Sequence, residues 1–487
     1  MEWKTNQMEE KEQPLIEIHE EFESTAGGKC EGGVTFALFF SIFIAVSGSF
    51  TCGFAGGYSS PVHFAIIKDL HLSTAEYSLF GSLLTAGGLL GATVCGKLSD
   101  LTGRRGAMGL SSILCLAGWL SIAYSQDSMS LYIGRLALGF ANGIMTYTIP
   151  VYVAEIAPKN IRGGLGLLHQ FLMCCGIAAA FLVGLITSWR SLALMGTIPC
   201  MIQILGIFFI PESPRWLVTA SSVDDFEAAL KRLRGQHTDI SEEAADIKEY
   251  TEAVENISEK FLDVFQMKYA YPLTVTLGLM ALGGFGGTQR ILYYASAIFE
   301  SAGVPGNIGT IAMGLIQLPP FALCVIFMDK YGRRPLLLFS AAGMGVACFL
   351  VALSFLLKVH GLMMDTGPYL ALVGILIFSA SFPIGMGGIP CVIMSEVFPI
   401  NIKGAAGTLA TVVSSTSSWI VTYTFIFMMQ WSSSGTFLVF TSVNAISVIF
   451  IAKLVPGTKG RTLEEIQELI IYKGPVMDVA CNTKPLL

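Results

Sequence analysis

Charged residues are scarce in this chain of 487 residues. They make up 13% of it, whereas hydrophobic residues make up 53%, and no single soluble core buries so much apolar surface. The chain also lacks an excess of basic residues, since its formal net charge is -6. A nucleic-acid-binding protein concentrates cations on one surface, so the composition excludes nucleic acid as a partner and indicates a protein solvated by a lipid bilayer.

The cysteines form neither a disulfide framework nor a zinc-binding spacing. Most of the eleven lie inside apolar runs, where a free thiol behaves as a small hydrophobic side chain. The sequence also lacks a nucleophile, a base and an orienting acid at one depth, and the glycine-rich stretch 283–287 lies within an apolar run rather than after a strand. We therefore predict neither an enzyme nor a bound cofactor or metal.

Long apolar runs dominate what is present. A helix of about 20 apolar residues crosses a bilayer, and we predict twelve such spans, numbered here in chain order. They are 34–57, 77–98, 107–124, 131–154, 164–187, 191–210, 270–297, 307–328, 336–357, 368–394, 405–429 and 435–454. The pattern predicts an all-α membrane protein.

Cationic residues lie mainly in the loops on one side of the predicted membrane spans. By the positive-inside rule this side is cytosolic and carries both termini. The segment between the sixth and seventh spans is long, charged and helix-prone, which predicts a cytosolic linker. The predicted domains are a cytosolic N-terminal tail (1–33), a six-helix half (34–210), the helical linker (211–268), a second six-helix half (269–454) and a cytosolic C-terminal tail (455–487).

The sequence contains an internal repeat. Asp-Leu-Thr-Gly-Arg-Arg at 100–105 returns as Asp-Lys-Tyr-Gly-Arg-Arg at 329–334, and Glu-Ile-Ala-Pro-Lys-Asn-Ile-Arg-Gly at 155–163 returns as Glu-Val-Phe-Pro-Ile-Asn-Ile-Lys-Gly at 396–404. Each copy lies where an apolar run ends, so the chain reads as two related halves of a membrane bundle, the usual plan of a secondary transporter.

The repeated residues predict a gate on the cytosolic side. The glycine makes a tight turn, and the two arginines that follow it are predicted to lie beside helix carboxylates and to latch helices together. Glu155 with Arg162, and Glu396 with Lys403, are the predicted two-state latches. The full predicted gate is Asp100, Arg104, Arg105, Glu155, Arg162, Arg215, Asp329, Arg333, Arg334, Glu396 and Lys403.

Further motifs carry a resemblance to a known family. They are 96–105 (Gly-Lys-Leu-Ser-Asp-Leu-Thr-Gly-Arg-Arg), 134–139 (Gly-Arg-Leu-Ala-Leu-Gly), 150–155 (Pro-Val-Tyr-Val-Ala-Glu), 211–217 (Pro-Glu-Ser-Pro-Arg-Trp-Leu) and 456–461 (Pro-Gly-Thr-Lys-Gly-Arg). With them the chain resembles, over nearly its whole length, the sugar porters of the major facilitator superfamily. The resemblance implies twelve transmembrane helices in two pseudo-symmetric six-helix halves that carry a small-molecule sugar by alternating access.

The stretches 213–216, 400–404, 431–437 and 460–466 are most similar to the plant early-responsive-to-dehydration type of monosaccharide transporter. That type implies a vacuolar membrane or a plasma membrane. The resemblance also implies a sugar-binding site, and Gln170 matches the family's sugar-binding glutamine on the fifth span.

The chain departs from the family pattern elsewhere in this site. Glycines occupy 283 and 284 where the family has two glutamines, and Gln289 stands where it has asparagine. Cys391 replaces a tryptophan after Pro390, and serines occupy 414 and 415 in place of Asn-Trp. The predicted solute contacts are Gln170, Gln289, Gln317, Thr288 and Tyr294, with Gly388 and Pro390 shaping the tenth span.

Arg290 lies about 20 residues into the seventh span, where a charge is costly unless it pairs, faces water or snorkels to the interface. Two hypotheses stay open. Arg290 approaches a cavity with Gln289 and selects an anionic or more polar solute, or it snorkels outward as a structural residue. Its depth towards the outer side favours snorkelling.

Proton coupling requires a titratable group that is exposed to each side in turn. No Asp or Glu lies at bilayer depth, and Ser59 stands where proton-coupled relatives often carry aspartate. His169, the only imidazole inside a predicted span, is interpreted as a structural histidine. We predict facilitated diffusion of a monosaccharide of the glucose and fructose class. The alternatives are a sugar sensor without flux, a carrier of a non-hexose or anionic solute, and a proton-coupled carrier.

Overall fold

The computed structural model describes residues 35–158, 162–220, 223–235, 240–255, 264–361, 366–398 and 400–456. These residues form helices and contain no strand, which confirms the all-α prediction. The predicted N-terminal tail and nearly all of the C-terminal tail lie outside the described residues.

The helices are numbered in chain order, and a single 3₁₀ turn (Met267–Tyr269) precedes the tenth. They are α1 (Phe36–Leu70), α2 (Thr74–Ala123), α3 (Ser128–Ile156), α4 (Arg162–Gly184), α5 (Trp189–Met195), α6 (Thr197–Ile207), α7 (Pro214–Ala220), α8 (Val223–Arg234), α9 (Ser241–Glu255), α10 (Ala270–Phe285), α11 (Thr288–Tyr293), α12 (Ala295–Ala302), α13 (Gly306–Ile316), α14 (Leu318–Tyr331), α15 (Arg333–Val359), α16 (Gly367–Ile384), α17 (Ile389–Val397), α18 (Ile400–Trp431) and α19 (Ser433–Leu454).

Nine helical stretches among the described residues are long and apolar enough to cross a bilayer. One of them, α2, contains both the second and the third predicted spans, because its 50 residues run through a kink at Gly103. The fifth span is the shorter apolar stretch Leu168–Gly184 of α4, and the seventh is divided among α10, α11 and α12. The nine stretches, the additional span in α2 and these two remaining spans make up the twelve transmembrane helices of the fold.

The first span is longer than predicted. It continues past residue 57 to Leu70, because Ser59 and Ser60 are buried against neighbouring helices instead of ending the helix at a water boundary. His63 therefore also lies within a span, which corrects the prediction that His169 is the only imidazole there. His71 ends the helix in a left-handed conformation with φ of 51°.

Glycines bring the second and fourth spans into direct main-chain contact. A Cβ atom added to Gly87 would collide with the carbonyl oxygen of Leu136, and one added to Gly139 would collide with that of Leu84. Gly91 and Gly143 continue the same contact one turn further along. The small-xxx-small spacing thus lets two helix backbones approach where any side chain would separate them.

The duplicated turn has the same backbone conformation in both halves. Gly103 has φ of 76° and ψ of 168°, and Gly332 has φ of 84° and ψ of 172°. Residues with side chains rarely adopt positive φ, so glycine is needed at both places. The two copies of the motif are structurally equivalent, which is the pseudo-symmetry that the repeat predicts.

Helices α7, α8 and α9 pack together at one end of the bundle around Leu217, Phe226 and Leu230. Arg234 joins this cluster to the bundle, because its Nη1 donates to the carbonyl of Ile156 at 2.9 Å while its other nitrogens pair with Glu243. We call this end of the bundle, which also carries Gly103 and Gly332, the charged end. The opposite end is the far end.

Candidate functional site

A two-point ion pair holds the charged end together. Arg104 Nε donates to Glu155 Oε2 at 3.0 Å and Arg104 Nη2 donates to Glu155 Oε1 at 3.1 Å. The two side chains are only 14% and 12% exposed. Arg104 Nη1 also donates to Asp100, and the Ser213 hydroxyl donates to Glu155 at 2.5 Å. The pair therefore ties the kink in α2 to the end of α3 and to residue 213.

Glu212 fills the space beside the glycine turn. It accepts the backbone N–H of Arg105 at 3.1 and 3.2 Å and that of Ser213 at 2.9 Å. A side chain on Gly103 would collide with its carboxylate, so the glycine is required by space as well as by φ. Burial raises the pKa of Glu212 above its ordinary value. Sequence reasoning gave Glu212 no role, although it lies in the motif at 211–217.

We expect Glu212→Gln to remove a pH dependence of stability. A raised folded-state pKa stabilises the protein below the unfolded-state pKa, and this contribution is lost as pH rises through the folded-state value. Acidification from pH 7 to pH 5 should thus raise the unfolding temperature of the wild type relative to the variant, by roughly 2 °C. Thermal unfolding of the purified protein in detergent measures this, and parallel pH profiles of the two proteins would contradict it.

Arg105 differs from the gate prediction. Its guanidinium donates through Nη1 to the carbonyl of Ile210 at 3.3 Å, and it is the backbone N–H of Arg105 that meets a carboxylate. In the second half, Arg334 Nη2 likewise donates to a carbonyl, that of Ala452, at 2.5 Å. In both halves the second arginine of the motif thus donates to a carbonyl near the end of a neighbouring helix.

The predicted latches are only partly within the described residues. Glu155 is bound by Arg104, while the side chains of its predicted partner Arg162 and of Asp329, Glu396 and Lys403 lie outside the described residues. The two remaining gate residues occupy helix starts at the charged end. Arg215 lies in the first turn of α7, and Arg333 is the first residue of α15.

The two halves meet at the far end. Ser60 in α1 and Ser296 in α12 bring their hydroxyl oxygens within 3.1 Å, and Ser60 accepts the Ser296 N–H at 2.9 Å. The Ser78 hydroxyl in α2 donates to the carbonyl of Tyr423 in α18 at 2.7 Å. These contacts join each half to the other through neutral groups.

An aromatic cluster completes the far-end contact. The ring of Tyr294 stacks on Phe425 with centroids 5.3 Å apart, and Tyr77 and His63 pack edge-on against it at 6.3 Å. The Tyr294 hydroxyl also occupies the space where a side chain on Gly81 would project. The structure thus places Tyr294, a predicted solute contact, in the closure between the halves.

Gln170 and Gln317 lie on the fifth and eighth spans, which pack against each other across the boundary between the halves. The neighbour of Gln170 in α4, Phe171, meets Phe321 of α14 with ring centroids 6.4 Å apart, and the carbonyl of Gln317 accepts the Phe321 N–H. Gln317 is 8% exposed, and its Nε2 has no hydrogen-bond partner in the part of the chain that the structure describes. The fifth and eighth spans therefore present amide-bearing residues on either side of the boundary between the halves.

Open space lies beside the broken tenth span. A Cβ atom added to Gly388 would meet nothing within 4 Å, and one added to Gly283 would meet only the Met386 methyl at 3.6 Å. The Cys391 side chain is exposed. Pro390, in the first turn of α17, needs no N–H partner there and so tolerates the break.

Arg290 does not snorkel. It is 0% exposed, and its Nη2 donates to the carbonyls of Gly284 at 2.6 Å and Ser418 at 3.3 Å. The snorkelling prediction is wrong because the seventh span breaks at Gly287, whose φ is 99°, and the helix that follows directs Arg290 into the protein. Thr288 begins this helix with an unpartnered Oγ1, and the side chain of Gln289 lies outside the described residues.

Sequence reasoning missed a second buried cation. Arg135 in α3 is 0% exposed and donates to the carbonyl of Ala55 at 3.0 Å and to the hydroxyl of Ser59. Its guanidinium carbon lies 4.8 Å from the centroid of the Phe80 ring, within range of a cation–π interaction. The position of Arg135 inside an apolar run was the available signal.

Comparison with known proteins agrees with this architecture. The family model described as "Sugar (and other) transporter" matches residues 24–470. The chain is 48% identical over 434 residues to sugar transporter ERD6-like 7 of Arabidopsis thaliana, covering 89% of this chain and 94% of that protein. It is 45% identical over 444 residues to sugar transporter ERD6 of the same plant, covering 91% and 89%.

Solved structures share the fold. The inward open conformation of the xylose transporter XylE from E. coli superposes with a TM-score of 0.76 at 23% identity, covering 89% of this chain and 100% of that one. The proton:xylose symporter XylE bound to 6-bromo-6-deoxy-D-glucose gives 0.74 at 23% identity, covering 89% and 99%. The solved structures show the fold of the major facilitator superfamily, and the chain belongs to the sugar transporter family and within it to the ERD6-like type.

Proposed function

We propose that this chain carries monosaccharides of the glucose and fructose class across a membrane by facilitated diffusion. The observation that carries the proposal is the environment of Arg135. Its charge is met by a carbonyl, the Ser59 hydroxyl and an aromatic ring, and no ion pair of the described residues includes it. A carboxylate at that depth would couple transport to protons, whereas these neutral partners do not titrate in the physiological range.

The environment of His169 supports the same mechanism. Its Nδ1 lies 2.7 Å from the Ser49 hydroxyl, and its Nε2 has no partner among the described residues. A proton relay needs a hydrogen-bonded chain on both sides of the imidazole, so we assign His169 a structural role.

In the proposed mechanism Gln170 and Gln317 bind the sugar between the halves, since amides both donate and accept the hydrogen bonds that sugar hydroxyls require. The charged end is proposed to be cytosolic, with both termini and the linker 211–268 on that side. The far-end contact closes the site from the other side while the charged end admits solute. A vacuolar membrane or a plasma membrane is the proposed location.

Uptake by purified protein in proteoliposomes tests this function. We expect saturable uptake of radiolabelled glucose or fructose. Its rate should not change when an imposed proton gradient is collapsed, because the proposed mechanism binds and releases no proton together with the sugar. Gln170→Ala should weaken the apparent affinity roughly tenfold, as expected for loss of one or two hydrogen bonds to the sugar. Uptake that requires the gradient would overturn facilitated diffusion, and binding without flux would indicate a sensor.

A further inference from the structure

Arg290 is a buried cation for which the described residues supply no counter-charge. Its Nη2 donates to the carbonyls of Gly284 and Ser418, while Nε and Nη1 have no hydrogen-bond partner among the described residues. No carboxylate of the described residues forms an ion pair with it. Buried charges in membrane proteins are rare and are normally paired, so this guanidinium can bind a partner that the described residues do not supply.

Open space lies close to Arg290 along the chain. The carbonyl that orients Arg290 belongs to Gly284, and a Cβ atom added to the preceding Gly283 would meet only the Met386 methyl at 3.6 Å. Across the helix break, a Cβ atom added to Gly286 or Gly287 would meet the Leu282 carbonyl or the Phe440 ring at 3.1 Å, so that side is filled. The guanidinium is enclosed in this state, and the open space lies about one helical turn from it, beside Gly283.

A neutral sugar does not account for a cation at this position. Hydroxyl groups would satisfy the free N–H bonds, but an amide side chain does so without the cost of burying a charge. Carboxylate and phosphate are the groups that a guanidinium binds most strongly, through charge-assisted hydrogen bonds. The two carbonyls that hold Nη2 fix the orientation in which the remaining nitrogens are presented.

We propose that Arg290 binds the anionic group of a transported sugar, so that the carrier accepts a sugar acid or a sugar phosphate. This inference rests on the proposed carrier function and extends it to the class of substrate. The shared chemistry is a monosaccharide bearing a carboxylate or a phosphate, and the two are separated by testing one of each.

The test is uptake of radiolabelled glucuronate, glucose 6-phosphate and glucose by proteoliposomes that contain the wild type, Arg290→Gln or Arg290→Lys. We expect the wild type to take up at least one anion, and the ratio of anion to glucose uptake to fall 10- to 100-fold in Arg290→Gln, about the effect of losing one charge-assisted contact. Arg290→Lys keeps the charge and should retain part of the ratio. Arg190→Gln, which alters a partly exposed arginine at the far end, is the matched control.

Membrane potential gives a readout that a structural role would not alter. Glucuronate carried alone moves one negative charge, so an inside-positive potential of 60 mV set with potassium and valinomycin should raise its accumulation about tenfold. Glucose accumulation should not respond. Glucose flux without flux of either anion would overturn this inference and leave the carrier function standing. An unchanged ratio in Arg290→Gln would do the same, whereas no flux of any solute from folded protein would overturn both.

Discussion

Replacing Gly139 with alanine is expected to disrupt the N-terminal half of the bundle. The added Cβ atom would collide with the carbonyl oxygen of Leu84 and lie 3.0 Å from the Cα of Gly87. Both are main-chain atoms, so neither can rotate away, and the second and fourth spans would have to separate along their length. Overpacking of a well-packed contact costs about 1 to 3 kcal/mol, and a rigid backbone contact belongs at or above the upper value.

Gly96→Ala is the matched control for this substitution. Gly96 lies in α2, the helix that Gly139 contacts, and a Cβ atom added there would meet nothing within 4 Å. Alanine at this position should stabilise the helix by up to about 1 kcal/mol, because glycine has the lower helix propensity. The yield of monodisperse protein and its unfolding temperature in detergent measure both effects. Equal stability of the two variants would show that the spans do not meet through Gly139.

Glu155→Gln is expected to cause the second large effect. It would leave the Arg104 guanidinium largely buried without the carboxylate that now binds it at two points. Removing one partner of a buried ion pair costs about 3 to 5 kcal/mol, since the remaining charge stays uncompensated. The hydrogen bond from Ser213 would also weaken. We expect a lower unfolding temperature and a loss of uptake in proteoliposomes.

Asp100→Asn separates this effect from a general loss of charge. Asp100 pairs with the same arginine at 3.3 Å, but its side chain is 73% exposed, and water screens such pairs strongly. This variant should thus behave much like the wild type. A double variant that makes both position 104 and position 155 neutral would recover part of the stability if the cost comes from an uncompensated charge. Equal losses in Glu155→Gln and Asp100→Asn would contradict the interpretation.

Much of the fold follows from local sequence patterns. The apolar runs predict the twelve spans, because a helix needs about 20 consecutive apolar residues to cross the bilayer and runs of this length are visible in the sequence. The repeated Asp-x-x-Gly-Arg-Arg predicted equivalent turns, and the positive φ at Gly103 and Gly332 confirms them. The end of the first span was predicted too early, since a run of polar residues that marks a water boundary also occurs where Ser59 and Ser60 face other helices.

The details of the site depend on contacts that sequence distance does not encode. Arg104 is observed on Glu155, because the kink in α2 brings two distant stretches together, while the side chain of the predicted partner Arg162 lies outside the described residues. Depth in the seventh span suggested that Arg290 snorkels, but the break at Gly287 rotates the following helix and directs it inward. The role of Arg135 was missed because its partners, which include Ser59, are uncharged. No acidic residue in the sequence therefore indicated a partner for this arginine.

The neutral contact between the halves at the far end bears on the energy balance of the proposed facilitator. A hydroxyl such as that of Ser60 or Ser78 exchanges its protein partner for water when the halves part, so each bond contributes only about 1 kcal/mol net. A closure built from such bonds leaves the sealed and unsealed states close in free energy. A carrier driven only by a concentration difference needs two conformations of similar free energy. If one conformation were much more stable, the protein would remain in it and the return step would be slow.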